Sequence, residues 1–233
     1  LVGGAGDDIL SITGTGVVDI TASTLATIEK LTLDPSAVAE ITMKADQLNA
    51  FTGTRSADAT DKVNITTMHG KSVTGTTAID KYVIGASDVF GTITSFTMGD
   101  AGDVMLFQRT VSKAGSGATM AIVTGGTALD TGNIGLVILD ETQADVAISG
   151  GDGLTAAEAA THLLSANTNI AADELTIAAV TTDQTNAAQL DFYLLEVNDD
   201  ANGFETPTLL GSMAGIANVG DFTSANFLGF ATA

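Results

Sequence analysis

Val17–Met43 reads VVDITASTLATIEKLTLDPSAVAEITM and holds three short runs rich in Ile, Val, Leu and Thr: Val17–Ala22, Ile28–Leu33 and Ala39–Met43. Each run alternates partly between apolar and polar residues, which is the period of a strand with one face in a core. Similar runs continue at Lys62–Thr67, Lys71–Thr76, Lys81–Ala86, Gly91–Phe96 and Asp103–Phe107. Their starts lie roughly 9–12 residues apart, with one longer gap across Gln47–Thr60, a spacing that a solenoid, a sandwich or a barrel produces. No Asn-Gly or Asp-Gly pair marks a tight antiparallel hairpin between them. The expectation is therefore parallel coils stacked as a β-solenoid over residues 1–108, with a sandwich as the alternative.

After Gln108 the texture changes. Ser112–Thr119 is rich in Gly and Ser and reads as a loop or linker. Strand-like runs follow at Met120–Thr124, Leu136–Asp140, Asp145–Ser149, Glu174–Val180, Leu190–Val197 and Pro207–Ser212. Between them Ala156–Ser165 is predicted as a helix, with Thr155 as N-cap and Glu158 completing a capping box. Residues 109–233 are thus expected to form a β-rich C-terminal domain with one helix. The chain opens on Leu1 rather than Met and is expected to be a piece of a longer protein.

Ahead of the first run stands Gly3-Gly4-Ala5-Gly6-Asp7-Asp8-Ile9-Leu10-Ser11, which fits G-G-x-G-x-D-x-U-x at every fixed position. Glycines permit backbone angles that turn successive carbonyls toward one ion. The Asp8 carboxylate adds charge and two oxygens, and Leu10 leaves the turn as a short strand. Gly3, Gly4, Ala5, Gly6 and Asp8 are candidate Ca²⁺ ligands, the calcium turn needing a neighbouring coil to complete its oxygen cage. The alternative is a plain glycine turn. Asp100 and Asp103, in the Gly/Asp turn Gly99–Asp103, are further candidates, as is Asp88; solvated turn aspartates are the competing reading. Asn198, Asp200 and Asn202 occupy positions 1, 3 and 5 of an EF-hand-like half loop with Gly203 at position 6. Leu209 stands where the loop needs its bidentate Glu, so the segment is a lone calcium turn or a polar hairpin loop.

The nonapeptide resembles the calcium-binding repeat of RTX proteins. Tyr82–Phe107 resembles the segment that closes RTX arrays, with Ile84-Gly85, Ile93 through Phe96, the Gly99–Asp103 turn and Val104–Phe107 as its parts. Asp191–Phe230 is similar to the C-terminal region of type I-secreted RTX and surface-layer (S-layer) proteins, through Thr208–Gly211 and the F-x-x-A-N-F run at Phe222–Phe227. These similarities touch about a third of the chain. They imply a secreted, extracellular or cell-surface protein stapled by Ca²⁺ and exported by a type I exporter acting on its C-terminus. They also imply assembly with copies of itself, and a possible cell-surface polysaccharide partner. The tandem run of nonapeptides usual in the family is absent from this sequence.

Composition agrees with an acidic extracellular chain. Lys and Arg total 8 against 28 Asp and Glu, a formal charge of −20. Such repulsion disfavours compaction unless cations neutralise it, though bulk solubility is an equally good reason for acidity. A nucleic-acid partner needs a basic surface that 8 cations cannot build. Cys is absent, so no disulfide staples the fold. No run approaches the ~20 apolar residues of a membrane helix. Catalysis is not expected: there is no Cys nucleophile, His69 and His162 stand far apart, and no H-E-x-x-H, G-x-S-x-G or P-loop occurs. A sugar-cleaving carboxylate pair would lack its usual aromatic platform, with no Trp and 2 Tyr in the chain.

Overall fold

The computed structural model describes residues 1–33, 38–53, 55–56, 60–108, 110–111, 119–124, 134–140, 175–181, 189–196, 205–216, 218–229 and 231–232. The chain is mainly β and its sheets are mostly parallel. In the first half, strands alternate between two sides. One side takes β1 (Ile9–Ile12), β3 (Lys30–Leu33) and β5 (Arg55–Ser56), in that order and all parallel. The other takes β2 (Gly16–Asp19), β4 (Ala39–Lys44), β6 (Lys62–Thr66), β8 (Ile79–Ile84) and β10 (Val104–Phe107), again parallel. Ile9 faces Lys30, Gly16 faces Ala39, Glu40 faces Lys62, Lys62 faces Ile79 and Lys81 faces Val104. Two runs of the sequence therefore make one level, and each level pairs with the next through backbone hydrogen bonds.

Alternation along each strand puts every second side chain inside. Leu31 and Leu33, Ile41 and Met43, Val63 and Ile65, Tyr82 and Ile84, and Met105 and Phe107 are all buried. Ile, Val, Leu and Thr suit this pleated, half-buried setting. Corners between strands require left-handed backbone: Gly14 and Gly16 supply it without strain, while Thr27, Thr67 and Ser95 adopt it despite their Cβ.

The long gap between the third and fourth runs holds a short helix, α1 (Ala45–Ala50). Gln47 organises it. Its side-chain oxygen accepts from Lys44 N at 2.8 Å, and its Nε2 donates to Ile20 O at 2.6 Å and Ser23 O at 2.7 Å. One buried amide thus caps its own helix and ties it to the first level. The predicted helix at Ala156–Ser165 and the predicted strand at Asp145–Ser149 lie outside the described residues.

The second half extends a third sheet, forms a small fourth one and adds one strand to the sheet that ends at β10. β7 (Val73–Thr74) and β9 (Thr92–Thr94) begin a seven-stranded sheet that continues through β16 (Thr208–Ala214), β15 (Gln189–Glu196), β14 (Leu175–Thr181), β13 (Ile134–Asp140) and β12 (Thr119–Thr124). Among the described residues, only the β14–β15 and β15–β16 pairs are antiparallel. β17 (Phe227–Leu228) pairs parallel with β10, and β18 (Ala231–Thr232) with β11 (Thr110–Val111). One contiguous core runs from Ile12 to Phe227 across both halves.

The two ends of the stack differ. At the first level β1 and β2 are sheet edges, and all four residues of β2 are exposed. Among the described residues, six of the nine exposed large apolar side chains gather at this end: Leu1, Val2, Ile9, Val17, Val18 and Val38. At the other end β10 is covered by β17. There Tyr82, Phe96, Phe222, Phe227, Phe192 and Phe107 form a chain of ring contacts with centroids 5.1–6.1 Å apart. Offset and tilted pairs of this kind are favourable. The aromatic side chains thus concentrate where the C-terminal segment meets the parallel strands of the first half.

Candidate functional site

The nonapeptide turn is built against the level that follows it. Gly3 N donates to Ala26 O at 2.9 Å, and a Cβ at Gly3 would stand 1.9 Å from Thr27 O, so only glycine fits. Gly6 has φ +118°, a left-handed angle that glycine adopts freely. Gly4 N donates to the Asp8 Oδ2 at 2.6 Å. Asp8 N in turn donates to Glu29 Oε2 at 2.9 Å, and Asp8 O accepts from both Glu29 N and Lys30 N at 3.1 Å. Ala5 and Asp7 are exposed. Asp7 is 2.8 Å from Lys30, whose hydrogen bond and charge hold its carboxyl below the ordinary carboxylate range.

This arrangement brings two carboxylates, Asp8 and Glu29, to one junction between levels. Asp8 Oδ2 is engaged by Gly4 N, so the turn is held by its own hydrogen bonds. A hard cation there would find the remaining carboxylate oxygens of Asp8 and Glu29, a donor set of the right chemistry but short of a full cage. Among the described residues no group of three or more His, Cys, Asp or Glu converges as a metal-binding set. The sequence pointed to Asp8; Glu29, from the next level, carries no local signal and emerges only from the stacking.

The second turn, Gly99–Asp103, is organised differently. Asp100 is exposed, whereas Asp103 is fully buried. Asp103 Oδ1 accepts from Asp80 N and Oδ2 from Thr97 N, both at 2.8 Å. The two aspartates of this turn therefore face opposite ways. Burial, then the charge of Asp80, push the Asp103 carboxyl up to about 7, against the pull of those two N–H groups. Gly102 is obligatory, since a Cβ would meet Thr97 O at 2.2 Å.

Asn226 joins this turn to the C-terminal segment. Its Oδ1 accepts from Gly99 N at 3.0 Å and Thr223 N at 2.9 Å. Its Nδ2 donates to Gly99 O at 3.0 Å and Asp103 O at 2.8 Å. The two stretches that carry separate resemblances in the sequence, Tyr82–Phe107 and Phe222–Phe227, thus form one unit.

Asp88 accepts from Gly85 N at 2.9 Å and lies 3.5 Å from the exposed His69. Asp61 and Asp80, two buried carboxylates that the sequence reading passed over, belong to the stacking. Asp61 Oδ1 accepts from Ala39 N at 2.9 Å in the preceding level. Asp80 holds Thr76 through its N at 2.5 Å and its Oγ1 at 2.8 Å. Asn198, Asp200 and Asn202 lie outside the described residues. The strands before and after them, β15 and β16, pair antiparallel, and Glu205 N donates to Glu196 O at 2.7 Å.

On the outward face of β4, β6 and β8 a groove of about 300 Å³ is lined by Glu40, Lys62, Asn64 and Lys81, with Val104 and Leu228 at its apolar end. Asn64 Nδ2 holds Glu40 at 2.6 Å. No described helix is long and apolar enough to cross a membrane.

Comparison with protein-family models, with curated proteins and with solved structures finds no match.

Proposed function

We propose that this chain is a structural, calcium-binding extracellular protein that assembles with copies of itself into a surface layer or matrix, its first half being a β-solenoid. The observation that carries the reading is the meeting of two carboxylates between stacked strands: Asp8 of the glycine turn and Glu29 of the following level, joined by the 2.9 Å hydrogen bond from Asp8 N to Glu29 Oε2. Hard divalent cations take carboxylate oxygens of this kind. The net charge of −20 opposes association of copies, and a bridging divalent cation would offset that repulsion.

A second reading draws on the closed end. The segment 222–228 packs onto the last level, as a built-in cap would, and this favours a folding and export module whose C-terminus serves a type I exporter.

Calcium titration of chelator-treated protein, followed by circular dichroism and light scattering together, tests both. Gain of β-structure with ordered scattering supports assembly, and its loss in Asp8→Ala places the ion at the first turn. Gain of structure without scattering favours the module. No response in either signal removes calcium from the account.

A further inference from the structure

We propose that the groove on the outward face of β4, β6 and β8 is a binding site for a small organic acid, a carboxylate carrying an apolar body. Alternation along the strands builds it. Ile41, Val63, Ile65, Tyr82 and Met105 turn inward and are buried, so Glu40, Lys62, Asn64, Lys81 and Val104 stand on the outer face. Parallel register then fixes the neighbours. Glu40 lies opposite Lys62, Asn64 opposite Lys81, and Lys81 opposite Val104. Lys62 also faces Ile79, two residues before Lys81, so the two lysines are diagonal neighbours, about 8 Å apart at Cα by strand spacing and rise. Their flexible four-carbon stems let both ammonium groups reach one anion between them.

The charges of the groove are not matched within it. Glu40 is in register with Lys62, yet its Oε1 accepts from Asn64 Nδ2 at 2.6 Å. Among the described residues neither Lys62 nor Lys81 stands in an ion pair, whereas Lys30 holds Asp7 and Lys71 holds Asp46. By holding Glu40, Asn64 keeps that carboxylate from neutralising the lysines. Two ammonium groups and one carboxylate leave the groove locally positive in a chain whose formal charge is −20. That balance favours an anion over a cation.

Shape narrows the class. A volume of about 300 Å³ lies at the small end of ligand sites. Ile79, Val104 and the exposed Leu228 of β17 give apolar surface beside the lysines. A bare inorganic anion leaves that surface unused. An organic acid places its carboxylate on Lys62 and Lys81 and its body on Val104 and Leu228. The assignment stands apart from the surface-layer reading and needs no calcium.

Benzoate titrated into the full chain at constant ionic strength, followed by NMR on the Val104 and Leu228 methyl groups, tests this. Acetate lacks the body and benzamide lacks the charge. Benzoate shifts should saturate, and either control should bind about tenfold more weakly, since each lacks half of the contact. The double variant Lys62→Gln, Lys81→Gln should lose about tenfold in benzoate affinity with its two charge-assisted hydrogen bonds. Should the double variant not fold, the single ones serve, each expected to weaken benzoate. Shifts that grow linearly without saturating, a control that binds as tightly as benzoate, or lysine variants that bind as the wild type does each overturn the proposal. The same methyl groups shifting with protein concentration alone would give the groove to acidic side chains of another copy, and would overturn it too.

Discussion

Asn226 and Gly99, 127 residues apart, exchange two hydrogen bonds of 3.0 Å: the Asn226 amide donates to Gly99 O and accepts from Gly99 N. The side-chain amide behaves here as a strand's peptide group would, pairing with the backbone it covers. The same side chain also reaches Asp103 O and Thr223 N, so four backbone groups depend on one fully buried residue.

Asn226→Ala strips partners from those groups in a site with little water to replace them. A cost of about 3 kcal/mol is expected, since each buried group left unsatisfied costs about 1–3 kcal/mol and partial relaxation recovers some of it. Urea unfolding should show a lower midpoint with an unchanged slope. A midpoint equal to wild type would mean that the clasp contributes nothing to stability.

Gly211 lies opposite Phe192 in the β15–β16 pair, and the Phe90 ring covers it. A Cβ at this position would stand 2.4 Å from Phe90 Cδ2. Gly211 also has φ +154°, so Gly211→Ala should destabilise by about 1–3 kcal/mol through overpacking, with backbone strain in addition. Phe90→Leu should relieve the overpacking and leave the backbone strain, so the two changes are expected to be partly non-additive. Strict additivity in thermal or urea unfolding would show that the ring moves aside freely.

The Asp103 carboxyl, raised to about 7 by burial and by Asp80, has a definite signature in the pH dependence of stability. Between the ordinary Asp value near 4 and about 7 the folded chain holds a proton that the unfolded chain has released. Stability from this group is thus complete below about pH 4 and is lost as pH rises through 7. Urea midpoints between about pH 5 and about pH 8 should fall with rising pH, and Asp80→Asn should flatten the slope. A slope of the opposite sign, surviving in Asp80→Asn, would show that other carboxylates dominate this range.

Local sequence carried much of this architecture. Alternation in Ile28–Leu33, Ala39–Met43 and Lys62–Thr67 located strands that the fold realises as Lys30–Leu33, Ala39–Lys44 and Lys62–Thr66. The lack of tight hairpin turns pointed to parallel pairing, which β1 through β10 adopt. Other features have no local signature. The sixth run was read from Lys81, and that start hid Asp80, although Ile79-Asp80-Lys81-Tyr82 places Asp80 on the same inward face as Tyr82. Gln47 lay in a stretch read only as a gap, because its partners Ile20 and Ser23 belong to another level. Phe222–Phe227 stood out by its aromatic content, but nothing in those residues names the turn at Gly99 as their seat. Pairing across more than a hundred residues is decided by the stacked fold.

The placement of β17 sets an order of events. Levels built from neighbouring runs can form one after another as a chain emerges from its N-terminal side, each needing only the one before it. The pairing of Phe227 with Met105 cannot wait at the same pace, since it requires residues separated by most of the intervening chain. Until those residues arrive, β10 lacks its pairing with β17, and the rings of Phe96 and Phe192 lack their contacts with Phe222 and Phe227. The closing segment is therefore a clock as well as a cap: a chain held in a narrow passage stays unfinished at that edge, and finishes only once residue 228 is clear.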